Sequence, residues 1–256
     1  MYEFTDTTIQ ECNYNKNMPI SAMNYNGIFL EDYIEGYETL YVDGREMINL
    51  EISADNMKYG SNVNYHRFPP RILTITYKMV NDDPYQLMVE YRKLMNTLYK
   101  KDKVNIWFND ELDVYYEGMY QSCSEPPGNT TSIVSSFQIY CESPLKKTVK
   151  TFITERFIGA ETPLDTFPLE IKCVPNNSNQ IKITNSKETI TLRAGTTKAN
   201  DVIVFDFVKK SVLVNGYDRT NILDLRSDFE FFRLEQGSEI ICGNAKLEIK
   251  YKGVTL

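Results

Sequence analysis

The chain has 256 residues, of which 42% are hydrophobic and 25% charged, and a formal net charge of −7. This length suits two domains, and the composition excludes a disordered or fibrous protein. No apolar run is long enough to cross a bilayer, and the first residues lack a basic and then apolar export signal. We therefore expect neither membrane insertion nor secretion.

The excess negative charge lies in the first half of the chain. Residues 1–147 carry 13 basic and 21 acidic side chains, net −8, whereas residues 148–256 carry 15 and 14, net +1. An acidic surface repels phosphate, which argues against nucleic-acid binding. The same charge would suit a protein surface along which nucleic acid moves without binding to it.

Short strands and one helix are predicted in the first half. Residues 48–52 and 72–77 are β-prone runs flanked by turn residues, and residues 57–70, without a clear period, predict a protruding loop or hairpin arm. A helix is predicted over 83–101, with Asp82 or Asp83 as its cap and Pro84 in its first turn. Its apolar residues share one face, which should pack on a sheet; they are Leu87, Met88, Tyr91, Leu94, Met95 and Leu98.

Further strands follow the helix. Residues 104–108 and 114–119 predict a strand pair around an acidic turn, and residues 135–141 predict another strand. A polar break at 142–147 then marks a domain boundary near 147, giving domains 1–147 and 148–256. The second domain shows no helical stripe and predicts a β-sandwich or jelly roll. Its predicted strands are 169–174, 180–184, 189–193, 202–207, 211–215, 230–234 and 246–251.

Catalytic and metal-binding patterns are weak. His66 is the sole histidine and falls in the predicted arm, where a surface or interface role is favoured over catalysis. Asp110, Glu111 and Asp113 are interpreted as a solvated turn, because no neighbouring feature in the sequence would raise the pKa of one of them. The five cysteines, an odd number without a Cys-x-x-Cys pair, predict buried free thiols. We predict no catalytic, cofactor-binding or metal-binding residue, no cofactor and no enzymatic activity.

Two other function classes remain open from the residues alone. A carbohydrate-binding module is the main alternative, since β-sandwiches bind sugars through exposed aromatic rings. Tyr217, after the turn at Asn215 and Gly216, is a possible sugar contact, whereas Trp107 lies within a strand and is interpreted as packing. A glycoside hydrolase using Asp110 or Asp113 is the third hypothesis.

Several segments, taken in order, resemble the distal tail proteins (Dit family) of long-tailed bacteriophages with non-contractile tails. In the first half they are the Asn-Gly segment 23–28, Gly36, the Gly44-Arg45 turn, the helix 83–101, the strand, acidic turn and Tyr-Tyr pair in 104–118, and the strand 137–144 that ends at Pro144. In the second half, 201–216 and 227–239 resemble the family's hairpin and its Ser-Asp-Phe segment. Glu239 stands where the family usually has Asn.

The resemblance implies a mostly β protein. Its first domain would be a sandwich or barrel-like unit with a packed helix and a hairpin arm, and its second a galectin-like β-sandwich. It implies a baseplate hub of six copies around a channel for DNA, which passes without specific binding. The implied partners are the tail tube protein, the tail-associated lysin or tip protein and a receptor-binding protein. The implied location is the distal tail of the virion, after assembly in the host bacterial cytoplasm.

Overall fold

The computed structural model describes residues 18–46, 49–125 and 131–256. It divides the chain into two compact units: the first runs to residue 146 and includes residue 256, and the second covers 147–255. Each unit has its own buried apolar cluster. Among the described residues, no helix has the length and apolar character needed to cross a membrane.

The first unit is an antiparallel sheet with one main helix. Its sheet runs in the order β2-β1-β7-β8-β9-β6-β3. The alternation predicted for strands is clearest in β6, where every second side chain from Arg71 to Met79 is buried. The bounds are β1 (Met23–Tyr25), β2 (Ile28–Phe29), α1 (Leu30–Tyr33), β3 (Tyr37–Asp43), β4 (Glu51–Asn56), β5 (Ser61–Arg67), β6 (Arg71–Val80), α2 (Pro84–Leu98), β7 (Val104–Phe108), β8 (Glu111–Cys123) and β9 (Ser132–Cys141).

Helix α2 packs its apolar face on this core. Asp83 caps it by accepting a hydrogen bond from the backbone N–H of Tyr85, and Pro84 occupies the first turn. Leu87, Leu94 and Leu98 are buried, and the Tyr25 hydroxyl donates to the Leu98 carbonyl at 2.7 Å. The predicted apolar face meets the core, except that Met88 is 47% exposed, contrary to the prediction.

The second unit is built from strands. Its main sheet has the order β16-β15-β14-β11-β17-β10, and β12 and β13 form a separate pair. The core joins residues from both sheets, including Ile183 and Ile190 from the pair. The bounds are β10 (Lys146–Thr154), β11 (Pro168–Pro175), β12 (Lys182–Thr184), β13 (Thr189–Thr191), β14 (Ile203–Asp206), β15 (Ser211–Val214), β16 (Tyr217–Asp218), a 3-10 turn (Thr220–Ile222) and β17 (Ala245–Thr255).

The predicted fold class, mostly β with one main helix, is confirmed. Three local predictions were wrong. Residues 230–234 form turns and a single bridge at Leu234 instead of a strand, because Phe232 and Leu234 enter the core from an irregular segment. The helix ends at Leu98, before the lysines at 100 and 101, and a second, one-turn helix (α1) was not predicted.

The cysteine prediction holds only in part. The four described cysteines are free, and Cys141 and Cys173 are buried as expected. Cys123, at the end of β8, is exposed, contrary to the prediction. Cys12 and the start of the predicted strand at Ile48 lie outside the described residues.

Candidate assembly site

The predicted arm is a two-stranded hairpin formed by β4 and β5. It is a sheet of its own, with Met57 and Gly60 closing the tip through a backbone hydrogen bond of 3.1 Å. The arm begins at residue 51, so the last two residues of the predicted strand 48–52 belong to β4, the first strand of the arm. We call residues 51–67 the hairpin arm.

One face of the hairpin arm is apolar and the other polar. Ile52 pairs with His66, and Ala54 pairs with Val63. Opposed residues of an antiparallel pair project to the same side, as do alternate residues of one strand. These four side chains therefore form one stripe, which we call the apolar stripe.

The opposite face carries charges. The Arg67 Nε donates to Glu51 Oε2 at 2.6 Å, and Asn64 donates to Asp55 at 3.0 Å. A register shift between Ser53 and Ala54 marks a β-bulge, which increases local twist. This face is mainly polar, although Tyr65, opposite Ser53, also lies on it.

Almost the whole hairpin arm is exposed. Every residue of its two strands except Ser53 is exposed, although five of the arm's side chains are large and apolar. A lone two-stranded hairpin is marginally stable in water, and exposed apolar stripes mark contact surfaces. The exposed fractions are Ile52 61%, Met57 62%, Tyr59 85%, Val63 53% and Tyr65 60%.

A cluster of charged side chains, of which the two cations are almost buried, lies at the base of the arm around Arg45. The Arg45 guanidinium binds both carboxylate oxygens of Asp110, at 2.7 and 3.0 Å, and Glu111 at 3.3 Å. It also stacks over Phe108, 4.4 Å from the ring centre. Lys146 donates to the other oxygen of Glu111 at 2.6 Å. Two acidic residues thus neutralise two almost buried cations.

A second buried arginine, Arg71, fastens the backbone around this cluster. Its guanidinium donates to the carbonyls of Gly44 and Arg45 at 2.8 and 2.6 Å and to the Pro144 carbonyl at 2.8 Å. It lies over the Tyr116 ring at 5.4 Å. We call these residues the base cluster; they are Arg45, Arg71, Asp110, Glu111, Tyr116 and Lys146.

Burial and neighbouring charges act on the protonation of this cluster. Burial lowers the pKa of Arg45, but the hydrogen bonds that it donates to Asp110, together with the negative charge of that carboxylate, outweigh this effect, so the pKa lies above its usual value. Burial raises the pKa of Tyr116, and the charge of Glu111 raises it further. Arg45 therefore stays charged and Tyr116 stays neutral at physiological pH.

The acidic turn is solvated in part, as predicted, since Asp110 and Asp113 are exposed. The expectation of no neighbouring feature was wrong, because Asp110 and Glu111 both bind the buried Arg45. Asp113 is exposed and does not join them. No residue pattern indicates these partners, because Arg45 and Lys146 lie far from the turn along the chain.

The other candidate residues stay apart. His66 lies on the hairpin arm as predicted, Trp107 is half-buried in β7, and Tyr217 is exposed at a turn. Over the described parts of the chain, no three His, Cys, Asp or Glu side chains are grouped to hold a metal ion. Neither aromatic residue lies with a histidine or acidic pair in a shared cavity.

The base cluster unites segments that the sequence resemblance had named separately. The Gly44-Arg45 turn, the acidic turn with Tyr116, and the strand end at Pro144 meet there through the contacts of Arg45 and Arg71. These segments are distant in sequence but form one structural unit beneath the arm. Their common order along the chain therefore has a physical basis.

Comparison with known proteins found a family model and solved structures that are similar to this chain. Residues 164–254 match the SPP1 Dit family, described as the siphovirus-type tail component, C-terminal domain. The crystal structure of the SPP1 Dit protein (gp 19.1), a paradigm of the hub adsorption apparatus in Gram-positive infecting phages, is similar with a TM-score of 0.76. It is 19% identical, and the match covers 93% of this chain and 100% of that one.

Weaker similarity was found elsewhere. The phage p2 baseplate in its activated conformation, with Sr or with Ca, gives a TM-score of 0.46 at 8% identity, covering 85% of this chain and 91% of that chain. No curated protein sequence matches the chain. The resemblance to distal tail proteins predicted from the sequence is confirmed by the family match and the shared fold.

Proposed function

We propose that this chain, whose second unit carries the siphovirus-type tail component domain and whose fold is that of a phage Dit protein, is the hub of a distal tail. In this proposal six copies form a ring that joins the tail tube to the tip. The protein acts through its surfaces and catalyses no reaction. It is assembled in the host cytoplasm and resides in the virion.

The observation that carries the proposal is the unpartnered apolar stripe of the hairpin arm. None of the residues that the structure describes buries Ile52 or Val63, although each would gain free energy on leaving water. A neighbouring copy supplies the missing surface. An arm on one side of each subunit and a receiving surface on another make a head-to-tail contact, and such contacts form a ring when the rotation from copy to copy closes, as this proposal requires.

The base cluster supports this role by fixing the start of the arm. Arg45 follows β3 in the chain, and its contacts with Asp110 and Glu111 hold the Gly44-Arg45 turn against the β7–β8 turn. A hairpin that must reach a neighbour gains affinity when its direction is set in advance. The buried ion pairs therefore serve the orientation of the arm.

The acidic first half supports a channel for DNA. Residues 1–147 are net −8, so a ring of six copies would present a strongly negative wall wherever these charges face the centre. Such a wall repels phosphate and lets DNA pass without binding. The second units, as galectin-like β-sandwiches, would hold the tail-associated lysin or tip protein and a receptor-binding protein, and one ring face would dock the tail tube protein.

Sedimentation velocity and negative-stain microscopy of the full chain test the proposal. Val63→Lys places a charge on the apolar stripe, whereas Asn62→Lys adds the same charge to the opposite face beside Asp55. We expect wild type and Asn62→Lys to form closed rings with a central hole, and Val63→Lys to remain monomeric. A monomeric wild type, or rings of Val63→Lys at wild-type concentrations, would refute the proposal.

A further inference from the structure

Helix α2 has a second row of large side chains, separate from the face that packs on the core. The residues of this row follow one another at alternating spacings of three and four, which places them on one side of a helix. The row lies about a third of a turn around the helix axis from the buried leucines. We call it the helix ridge; its residues are Tyr85, Met88, Arg92, Met95 and Tyr99, the last of which is the C-cap.

The helix ridge is largely exposed. Tyr85 is 67% exposed, Met88 47% and Tyr99 74%, and Met95 is half-buried. Single exposed apolar residues are common on protein surfaces, whereas a continuous row of them marks a contact surface. Side chains at spacings of three and four interlock with those of a facing helix. The shape of the ridge therefore fits a helical partner.

Cations without acidic partners lie along the ridge. The Arg92 Nε donates to the Met88 carbonyl at 3.3 Å, which holds the guanidinium on the ridge. Lys100 lies one helical turn further along on the same side as Lys93. Lys93 is paired with Glu90 at 3.2 Å, but neither Arg92 nor Lys100 forms an ion pair with any residue that the structure describes.

Both unpaired cations line one shallow cavity of about 500 Å³ beside the ridge. Asn96 and Thr97 of the helix and Tyr33 of α1 also line it. A guanidinium and an ammonium bind carboxylates through charge-assisted hydrogen bonds. Because residues 1–147 are net −8, this cationic surface differs from its surroundings and favours an acidic partner over a basic one.

The described parts of this chain contain no second helix that would fill the surface. Helix α1 has only four residues, and the 3-10 turn has three. If α2 faced a copy of itself, Arg92 and Lys100 would meet the same cations, and like charges across an interface repel. The partner that fits is therefore a helix of a different protein.

We propose that the helix ridge is a docking surface for an amphipathic helix of another protein. The apolar side of that helix covers Tyr85, Met88 and Met95, and acidic residues along its flank bind Arg92 and Lys100. Apolar burial supplies the affinity, and the carboxylates set the direction and register of the helix. This inference does not rest on the proposed ring, because a single folded subunit presents the same surface.

Fluorescence anisotropy with two synthetic peptides tests the proposal on the full chain. Both peptides are helical and about three heptads long, with leucine at spacings of three and four. The flanking positions are glutamate in one peptide and lysine in the other. We expect the glutamate peptide to bind about tenfold more tightly than the lysine peptide. Failure of the glutamate peptide to bind, or equal affinity for both peptides, would overturn the proposal.

Matched variants locate the binding surface. Met88→Glu places a charge on the ridge, whereas Gln86→Glu places the same charge on an exposed position outside it. Met88→Glu should weaken binding of the glutamate peptide by about tenfold, and Gln86→Glu by less than about twofold. Circular dichroism checks that both are folded. Equal effects of the two substitutions would place the peptide elsewhere and contradict the assignment.

A charge reversal tests the acidic flank. Arg92→Glu should reduce the preference for the glutamate peptide by about tenfold, because the partner carboxylates then meet a negative charge. Arg226→Glu makes the same change of net charge at an exposed position in the second unit and should leave the preference unaltered. An unaltered preference in Arg92→Glu would show that the cations of α2 do not select the partner.

Sedimentation velocity separates this surface from contacts between copies of the chain. Met88→Glu should assemble as wild type does, because the ridge binds a different protein. Loss of self-association in Met88→Glu would assign the ridge to a second copy and overturn this inference. A monomeric wild type that still binds the glutamate peptide through Met88 would refute the ring alone.

Discussion

The hairpin arm and the β7–β8 hairpin are built alike but face different surroundings. Both are antiparallel pairs with a β-bulge and several aromatic or β-branched residues. Ile106 in β7 is fully buried, whereas Ile52 in β4 is 61% exposed. The comparison teaches that the residue types in a strand do not determine which surface the strand packs on. Apolar side chains on a strand that contacts no core need a binding partner to be buried.

The largest difference should come from one substitution made in both hairpins. Ile106→Ala leaves a cavity in the core of the first unit and should lower the free energy of unfolding by about 4 kcal/mol. Ile52→Ala should change the stability of the monomer by less than about 0.5 kcal/mol. Urea unfolding of both variants at non-assembling concentrations measures the contrast. A loss of stability in Ile52→Ala similar to that in Ile106→Ala would mean that the arm is buried in the monomer.

Two glycines give the next contrast. Gly44, with φ +91°, lies so close to β6 that an added Cβ would be 2.2 Å from the Ile72 carbonyl oxygen. Gly44→Ala should therefore cost about 3 kcal/mol from strain and displacement. Gly60 at the arm tip has φ +78° and open space around it, so Gly60→Ala should cost about 1 kcal/mol within the arm alone.

Thermal unfolding of both glycine variants measures the difference. We expect a clearly lower midpoint for Gly44→Ala and almost no change for Gly60→Ala, because the arm contributes little to the monomer's stability. Equal midpoints would show that the connection at Gly44 is not held against β6.

Ion pairs provide the smallest contrast. Glu111→Ala removes the acceptor shared by Arg45 and Lys146 and leaves both cations almost buried, which should cost about 2 kcal/mol. Glu51→Ala breaks the exposed pair with Arg67 and should have no measurable effect. Chemical unfolding at low and high salt separates the two pairs. A large effect of Glu51→Ala would contradict the exposed position of the arm.

Local patterns predicted the elements better than the long-range contacts. The helix start at Asp83 and Pro84 and the strand alternation around Leu73 follow from periodicity and turn residues. The arm was predicted from a stretch without a clear period, and its first strand begins before that stretch. The irregular segment at 230–234 misled the prediction because alternating apolar residues also occur where a loop enters a core. The pattern of apolar residues predicts which side chains are buried more reliably than it predicts the conformation of the backbone.

The base cluster could not be predicted from residue patterns. Its members come from four segments, and no spacing rule relates Arg71 to Pro144 or Lys146 to Glu111. The resemblance named three of those segments but did not join them.

Hydrogen exchange of residues 51–67 tests the central claim most directly. Amides of the hairpin arm should exchange rapidly in the Val63→Lys monomer and be protected in assembled wild type, because a neighbouring copy covers the apolar stripe. Core amides of β6 should be equally protected in both samples. Rapid exchange of the arm in assembled wild type would show that the ring, if it forms, is held by another surface.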